Sequence, residues 1–483
     1  MPPSTRTLLL TLAGAGALAL AGMNSSLRAD DVWSLRTASL PLGAMLRAVA
    51  EDVHPPLYFL LLWPWVRVFG DSEWALRAPS LLLHWAAIAA VWFSARRFLT
   101  RPAAWVAAIA YGCAPLALLS AELVRMYSLL GLLAALSLAA WDEAARRPGA
   151  RPLILWTAIQ VAGTFTHLWW FCWLGGQMAA AFVFHRRAWR RWAAACLAAV
   201  APYAVLWGPA LWRQLGGSRE AAAWLLPPRW GDAAPLLYLQ LGALLLALPV
   251  ALAQRWRGRW DSGQTIPLWL PVMAAGALLP PLLISFWKPF FYARFTIVVL
   301  PAVVCWAAAL AARGGARTMA AIVLAGAALL TAGTRLPAPG CDARAAARFL
   351  VEHVPDGGTV RYTSLSRPAI DYYLERFRPG RSWREASFPA EIDRHPGYEG
   401  EARDPAPRPG WAAEAAALAR ELKARPGARI YALLRKDHLP SEALEEALKR
   451  ELRPAPEPEL ACPERSNYFH RIAVYEAPAA ALH

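Results

Sequence analysis

The stretch Thr5–Met23, TRTLLLTLAGAGALALAGM, places a basic residue ahead of an uninterrupted apolar core. A basic start followed by an apolar core is also the pattern of secretory signals. Because many further apolar segments follow, we instead predict an uncleaved first membrane helix whose N-terminus lies in the cytoplasm.

Apolar segments continue through the first two thirds of the chain. Of its 483 residues, 57% are hydrophobic and 25 are tryptophan. Nearly uncharged windows of about 17–22 residues are long enough to cross a bilayer as helices, and only internally hydrogen-bonded segments persist in hydrocarbon. We therefore predict an all-α polytopic membrane domain over residues 1–336, with about eleven transmembrane helices. A soluble fold is excluded for this region.

Grouped arginines predict the orientation of these helices. The net charge is +16, and the arginines of the apolar region cluster between spans. Such clusters mark cytoplasmic loops, which favours a membrane topology and argues against nucleic-acid binding. The segment 55–70, PPLYFLLLWPWVRVFG, would reverse every later loop if it spanned the membrane. We predict that it is a juxtamembrane helix within an outer loop 25–77.

The composition changes near Pro337. Strand-like stretches TVRYTSL, RIYALLRK and RIAVYEA alternate with amphipathic helical patterns, which is typical of an α/β domain. An odd number of spans places residues 337–483 outside the cytoplasm as a soluble α/β domain. In that compartment Cys341 and Cys462 could form a disulfide bond.

An acidic pair, Asp30 and Asp31, follows the first span. The plainer interpretation is that both are solvated loop residues beside a helix end. The functional interpretation is that one carboxylate, partly desolvated at the membrane surface, accepts a proton from a hydroxyl. The other carboxylate would then orient a neighbour.

His54 precedes two prolines in DVHPPLYFLL, with Asp52 close by. Proline is tolerated in the first turn of a helix, so His54 could simply flank a helix start. Alternatively, a histidine held by a rigid backbone could donate to a phosphate, with Asp52 contacting donor or acceptor.

SAELVRMYSLL contains Glu122 and Arg125 three residues apart. This spacing places them on one helical face as an ion pair, and a structural pair is the plainer reading. Charges near hydrocarbon are costly unless they are used, and the guanidinium of Arg125 suits a phosphate. Glu122 would then be a contact to donor or acceptor.

SFWKPFFYARFTIVVLP supplies Lys288, Tyr292 and Arg294 at the outer end of a late span. An aromatic belt with snorkelling cations explains the same pattern. As function, these residues would neutralise a lipid phosphate. His167 in FTHLWW is either a lone polar flank or a further contact to donor or acceptor.

These strings together resemble the membrane glycosyltransferases of the C-type fold, specifically the family 39 group related to protein O-mannosyltransferases and aminoarabinose transferases. The matching pieces are ADDVWSL, DVHPPLYFLL, FGDSEWALRAPS, ELVRMYSLL and YARFTIVVLP, which together cover roughly residues 25–310. The segment after Pro337 adds little to the resemblance.

The resemblance implies transfer of a sugar from a polyprenyl-phosphate donor to an acceptor hydroxyl, at the outer face of a bacterial inner membrane. One likely base and no obvious second carboxylate nucleophile indicate that the transfer inverts the anomeric centre. Asp30 matches the first acid of the family's Asp-Glu pair, which is the catalytic base. Asp31 departs from the usual Glu, so the role of the second acid is open. His54 and Arg125 match residues near the phosphate, and Arg294 resembles the arginine of a late periplasmic loop.

Two further questions remain open in the sequence. No cofactor is required by this chemistry, although Asp30, Asp31 and Glu122 could hold a divalent metal ion without forming a strong ligand motif. A polyprenyl-linked sugar flippase or transporter is the main alternative function. It predicts charges or Gly/Pro breaks near the middle of the membrane and internal repeats, whereas the charges here lie at span ends.

Overall fold

A computed structural model describes residues 13–52, 54–147, 149–221, 227–258, 266–335, 342–390, 409–436, 438–456, 460–461 and 469–478. The chain divides into two compact units. The first unit consists of Met1–Asn24, Ser34–Gly216 and Pro227–Leu336. The second consists of Ser25–Trp33, Gly217–Leu226 and Pro337–His483.

Every described element of the first unit is helical. The helices are α1 Ala13–Gly22, α2 Ala29–Ser39, which begins in the second unit, α3 Leu42–Glu51, α4 Leu57–Phe69, α5 Glu73–Ala95, α6 Arg101–Cys113, α7 Pro115–Ala121, α8 Tyr127–Arg146, α9 Ala150–Thr164, α10 Trp170–Phe184, α11 Trp189–Leu206, α12 Gly208–Ala221, α13 Ala233–Leu241, α14 Leu244–Trp256, α15 Trp269–Ile284, α16 Leu300–Ala312 and α17 Ala316–Arg335. A six-residue 3-10 helix, Ala293–Val298, precedes α16.

Two described helices, α5 and α8, are long and apolar enough to cross a membrane alone. The number rises to five if each of three bent helix pairs is one span. Six shorter apolar helices of 10–17 residues accompany them. One of these six is α4, which is predicted to lie in the outer interface. If the other five cross together with the five longer spans, the total is ten, close to the predicted number of about eleven.

Two of the bends have a visible steric cause. α6 and α7 meet at 55°, and the two helical segments around Gly242 meet at 84°. Pro115 begins α7 and cannot donate to the preceding turn, while Gly242 adopts a φ of +48° that favours glycine. A Cβ on Gly242 would lie 2.5 Å from Cδ of Pro115, so the two breaks pack directly against each other.

An ion network joins the C-terminal ends of α5 and α8. Arg146 Nε donates to Asp142 Oδ1 at 2.9 Å, and Arg97 Nε lies 3.7 Å from Asp142 Oδ2. Arg97 also pairs with Glu143. Asp142 is almost completely buried, and these ion pairs offset part of the cost of burying its charge.

A buried polar ladder connects α8, α9 and α10. Ser137 accepts from Trp173 Nε1 at 2.9 Å and from Gln177 Nε2 at 2.7 Å, and Gln160 Oε1 accepts from Trp170 Nε1 at 2.8 Å. Polar groups in an apolar interior are stable when each has a partner. The ladder therefore fixes α9 against α10 and so fixes the turn between them.

The second unit is an α/β fold, which confirms the predicted class. Its helices and strands are α18 Ala343–His353, β1 Thr359–Thr363, α19 Arg367–Phe377, β2 Arg384–Phe388, α20 Pro409–Lys423, β3 Arg429–Leu434, α21 Leu439–Glu451, β4 Arg453–Pro454, β5 Leu460–Ala461 and β6 Arg471–Glu476. The sheet order is β2-β1-β3-β6-β4, with β5 also paired to β6.

Strand direction within this sheet follows from the connections. β1 runs parallel to both β2 and β3, and β6 is antiparallel to β3. A helix returns the chain between the parallel strands, as parallel pairing requires. Alternate residues of β3, including Ile430 and Leu434, pack with Ala419 of α20 and Leu448 of α21 in the unit's core.

The packing of α10 against α15 generates a stability prediction. A Cβ on Gly176 would lie 2.2 Å from the carbonyl oxygen of Met273, whereas a Cβ on the adjacent Gly175 would meet nothing within 4 Å. Small residues at such crossings allow close backbone approach. We expect Gly176→Ala to destabilise the protein by about 1–3 kcal/mol through overpacking and to lower its melting temperature in detergent.

Gly175→Ala is the matched control, because it makes the same chemical change one residue away in the same helix. It should melt like the unchanged protein. Equal melting temperatures for both variants would contradict the close crossing at Gly176.

Candidate functional site

His54 and His167 lie side by side in the first unit. The N–H of Leu57, at the start of α4, donates to the carbonyl of Phe165 in the α9–α10 connection at 2.9 Å. This hydrogen bond joins the segment after His54 to the turn that carries His167. The two imidazole ring centroids are 5.9 Å apart, so the sequence-distant histidines share one site.

His167 is buried, and its two ring nitrogens differ in their hydrogen bonding. Its Nδ1 accepts the N–H of Trp169 at 3.0 Å, so the proton of the neutral ring belongs on Nε2. Nε2 is buried and meets no hydrogen-bond partner within the described part of the chain. Burial, with the positive charges of His54 and Arg125, holds the pKa of His167 well below its usual value. Nε2 of the neutral ring is therefore an N–H donor within this site.

Arg125 lies in the connection between α7 and α8, and side chains of α5 hold this connection. Arg77 Nε donates to the carbonyl of Glu122 at 2.7 Å, and Ser80 Oγ donates to the carbonyl of Leu123 at 2.6 Å. Only 8% of Arg125 is exposed. The ring of Tyr127, two residues further along the chain, has its centroid 5.9 Å from that of His167, which brings this connection to the same site.

Arg294 comes to the site from the 3-10 helix that precedes α16. Its Cζ lies 5.7 Å from the ring centroid of Tyr127 and 5.5 Å from that of Tyr292, distances at which a cation is attracted to a ring face. Gln240 Nε2 donates to Thr296 Oγ1 at 2.6 Å and so holds the 3-10 helix in which Arg294 lies.

We call His54, Arg125, His167 and Arg294 the cationic cluster. Its two arginines are charged, and its two histidines are of a residue type that is charged when protonated. Aromatic rings surround it. The ring of Phe295 lies 4.8 Å from His167 and 5.3 Å from Tyr292. Such a setting lowers the local dielectric and strengthens the pull of the cluster on an anion.

Asp52 borders the cationic cluster. Its Oδ2 lies 3.8 Å from Nε2 of His54, and Gln214 Nε2 donates to its backbone carbonyl. A carboxylate at this distance attracts a neighbouring positive charge. Asp52 is thus positioned to act on His54.

The acidic pair lies in the first turn of α2, in the part of that helix assigned to the second unit. The interpretation of Asp30 and Asp31 as loop residues is therefore wrong. Asp31 is fully buried, and its Oδ2 accepts the N–H of Arg28 at 3.0 Å, as in one half of a capping box. Asp30 is partly buried.

The structure also corrects the predicted geometry of Glu122 and Arg125. They do not share a helical face, because α7 is a short helix that begins at Pro115 and ends at Ala121. The carboxyl group of Glu122 instead packs on Gly22 at the end of α1, where a Cβ would lie 2.0 Å from Glu122 Cδ.

Lys288 stands apart from the cationic cluster. Its side chain is exposed just after the end of α15, and no polar contact joins it to the cluster among the described residues. Phosphate binding by Lys288 stays a prediction, beside the aromatic-belt interpretation.

Tyr127 and Phe295 were not predicted from the sequence. Both lie inside motifs that were singled out for their cations, ELVRMYSLL and YARFTIVVLP. Their closeness in sequence to Arg125 and Arg294 could have indicated them. Aromatic residues at span ends, however, are typical of any membrane helix.

Metal binding has no visible site in the described ranges: no three His, Cys, Asp or Glu side chains among them are gathered so that they could hold an ion. Cys341 and Cys462, the predicted disulfide partners, lie outside the described residues.

A family model described as dolichyl-phosphate-mannose-protein mannosyltransferase matches residues 53–212. This range includes His54, Arg125 and His167 of the cationic cluster. No curated protein sequence matches the chain.

Solved structures match over almost the entire chain. ArnT from Cupriavidus metallidurans covers 98% of both chains at 14% identity, with TM-scores of 0.56 in the apo state and 0.60 bound to undecaprenyl phosphate. Oligosaccharyltransferase AglB from Archaeoglobus fulgidus, in complex with an inhibitory peptide and a dolichol-phosphate, covers 94% of this chain and 74% of that chain at 13% identity, with a TM-score of 0.52. These matches confirm the resemblance read from the sequence: the chain has the C-type fold of the membrane glycosyltransferases.

Proposed function

We propose that the chain is an inverting glycosyltransferase that moves a sugar from a polyprenyl-phosphate donor to an acceptor hydroxyl. The observation that carries the proposal is the cationic cluster, in which four groups from separate connections gather beside aromatic rings. The proposal agrees with the fold and with the polyprenyl phosphates named for the matching ArnT and AglB structures.

The cationic cluster suits the leaving group of this reaction. When the bond between the sugar and the phosphate breaks, negative charge develops on the phosphate oxygens. Arg125 and Arg294 offer charged donors for these oxygens, and His167 offers the neutral N–H of Nε2. Preorganised donors of this kind stabilise a transition state more than they stabilise the ground state. A lipid phosphate needs no general acid, because it leaves readily as an anion.

Asp30 is the base of the proposed mechanism. An acceptor hydroxyl is a poor nucleophile near neutral pH, so a carboxylate removes its proton as the anomeric carbon gains oxocarbenium character. Asp31, bonded to the N–H of Arg28, would hold the helical turn and so orient Asp30. One base and a single displacement invert the anomeric centre.

The position of α8 supports an outer-face reaction. Tyr127 begins this helix beside the cationic cluster, and the Arg97–Asp142–Arg146 network lies at its other end. Its 20 residues span about 30 Å, the thickness of the hydrocarbon core. If the arginine-rich end is cytoplasmic, the cluster faces outward in a bacterial inner membrane. The odd number of predicted spans is the separate argument that residues 337–483 form a periplasmic domain.

A lipid-linked sugar flippase is the second candidate. The three bent helix pairs favour it, because broken helices are common where substrates cross a membrane. A flippase moves the intact lipid-linked sugar, whereas the enzyme cleaves the bond between sugar and phosphate. Product analysis with a purified polyprenyl-phosphate sugar therefore separates the two candidates.

Replacing the proposed base should remove transfer without removing donor binding. We expect Asp30→Asn to lower kcat by about 100-fold or more, since a positioned base contributes on that scale, with donor affinity nearly unchanged. Released polyprenyl phosphate is measured with saturating donor and acceptor. Asp71→Asn, which neutralises an exposed acid before α5, is the control. Full activity in Asp30→Asn would remove Asp30 from the mechanism.

Weakening the cationic cluster should act on the donor instead. We expect Arg294→Gln to raise the dissociation constant for undecaprenyl phosphate about 10-fold or more, because a charge-assisted hydrogen bond is lost. Calorimetric titration in detergent measures this constant without turnover. Arg213→Gln removes an exposed arginine of α12 and should leave binding intact. Equal affinities for both variants would refute the phosphate site.

A further inference from the structure

The segment that carries the acidic pair is anchored to the C-terminal α/β fold. The N–H of Leu27, two residues before α2, donates to the phenolic oxygen of Tyr373 in α19 at 2.9 Å. Leu27 and Tyr373 are each 2% exposed. The donor and acceptor are separated by 346 residues in the chain, so this contact belongs to the tertiary fold of the second unit.

Tyr373 is itself held firmly. The ring of Tyr372 meets it edge-on with centroids 4.8 Å apart, and the ring of Phe377 lies 6.0 Å away. The guanidinium Cζ of Arg344, on α18, lies 5.4 Å from the Tyr373 centroid. A phenol packed this closely places its hydroxyl with little freedom, and it therefore offers a fixed point to Leu27.

The anchor continues directly into the first turn of α2. Arg28 follows Leu27, and its N–H donates to Oδ2 of Asp31 at 3.0 Å. The N–H groups of Asp31 and Val32 both donate to the carbonyl of Arg28 at 3.0 Å. Asp30 lies inside this turn, so its backbone has no independent freedom once Leu27 is fixed.

We propose that Tyr373 is a positioning residue for Asp30, and that one task of the C-terminal α/β domain is to fix the acid-bearing segment for proton abstraction. This inference rests on the proposed function, in which Asp30 is the base. A carboxylate that must meet an acceptor hydroxyl gains from such fixation, because rate depends steeply on the placement of the reacting groups.

Tyr373→Phe tests the inference, because it keeps the ring and removes only the oxygen that accepts from Leu27. We expect kcat for sugar transfer to fall about 10-fold, the scale of one hydrogen bond, while KM for the polyprenyl-phosphate donor stays unchanged. Hydrogen exchange followed by mass spectrometry should show faster exchange in peptides that cover residues 27–32.

Tyr431→Phe is the matched control. Its hydroxyl donates to the carbonyl of His353 at 2.6 Å in the same unit, so this variant also loses one tertiary hydrogen bond but leaves the acid-bearing segment alone. Unchanged kcat or unchanged exchange in Tyr373→Phe would overturn the inference, as would an equal loss of kcat in Tyr431→Phe. Absence of transfer by the unchanged protein would overturn the proposed function alone, because exchange reports the anchor without turnover.

Discussion

The site of the first unit depends on one buried guanidinium. Arg77 of α5 is fully buried and donates to the carbonyl of Met23, after α1, and to the carbonyl of Glu122, after α7. Carbonyl groups at helix ends have no partner within their helices, and leaving them unpaired in an apolar interior costs several kcal/mol each. By satisfying both, Arg77 fixes the end of α1 and the connection that carries Arg125.

The cationic cluster is assembled on connections, while its support comes from helices. His54, Arg125, His167 and Arg294 each lie outside the regular α-helices of the unit. Leu57, Ser80 and Gln240 tie these connections to neighbouring elements through hydrogen bonds. Gathering like charges costs free energy, so tertiary hydrogen bonds help to hold these connections in place. This explains why the supporting side chains are buried and polar.

Much of the fold and of the site follows from the sequence for physical reasons. Long apolar windows predict helices because few other structures are stable in hydrocarbon. Charged residues at the ends of such windows stand out in the sequence, and His54, Arg125 and Arg294 were predicted for that reason. The break between α6 and α7 was not, because apolar residues continue across it and only Pro115 marks it. The helical face predicted for Glu122 and Arg125 was wrong because α7 ends at Ala121, before both residues. Tyr127 and Phe295 join the site through ring packing between distant elements, which no local pattern contains.

The two kinds of charged group meet different physical demands in the proposed reaction. The donors of the cationic cluster must hold a departing phosphate without giving it a proton. Two arginines and a neutral His167 meet this demand in the proposed reaction, since neither a guanidinium nor a neutral imidazole readily gives up a proton at neutral pH. The carboxylate must accept a proton from a defined direction. The backbone that carries it must therefore be held in a fixed position. A first helical turn that is capped by Asp31 and anchored through Leu27 supplies that backbone. Because the anchor lies in the second unit, we expect a change in that unit to alter catalysis without altering donor binding.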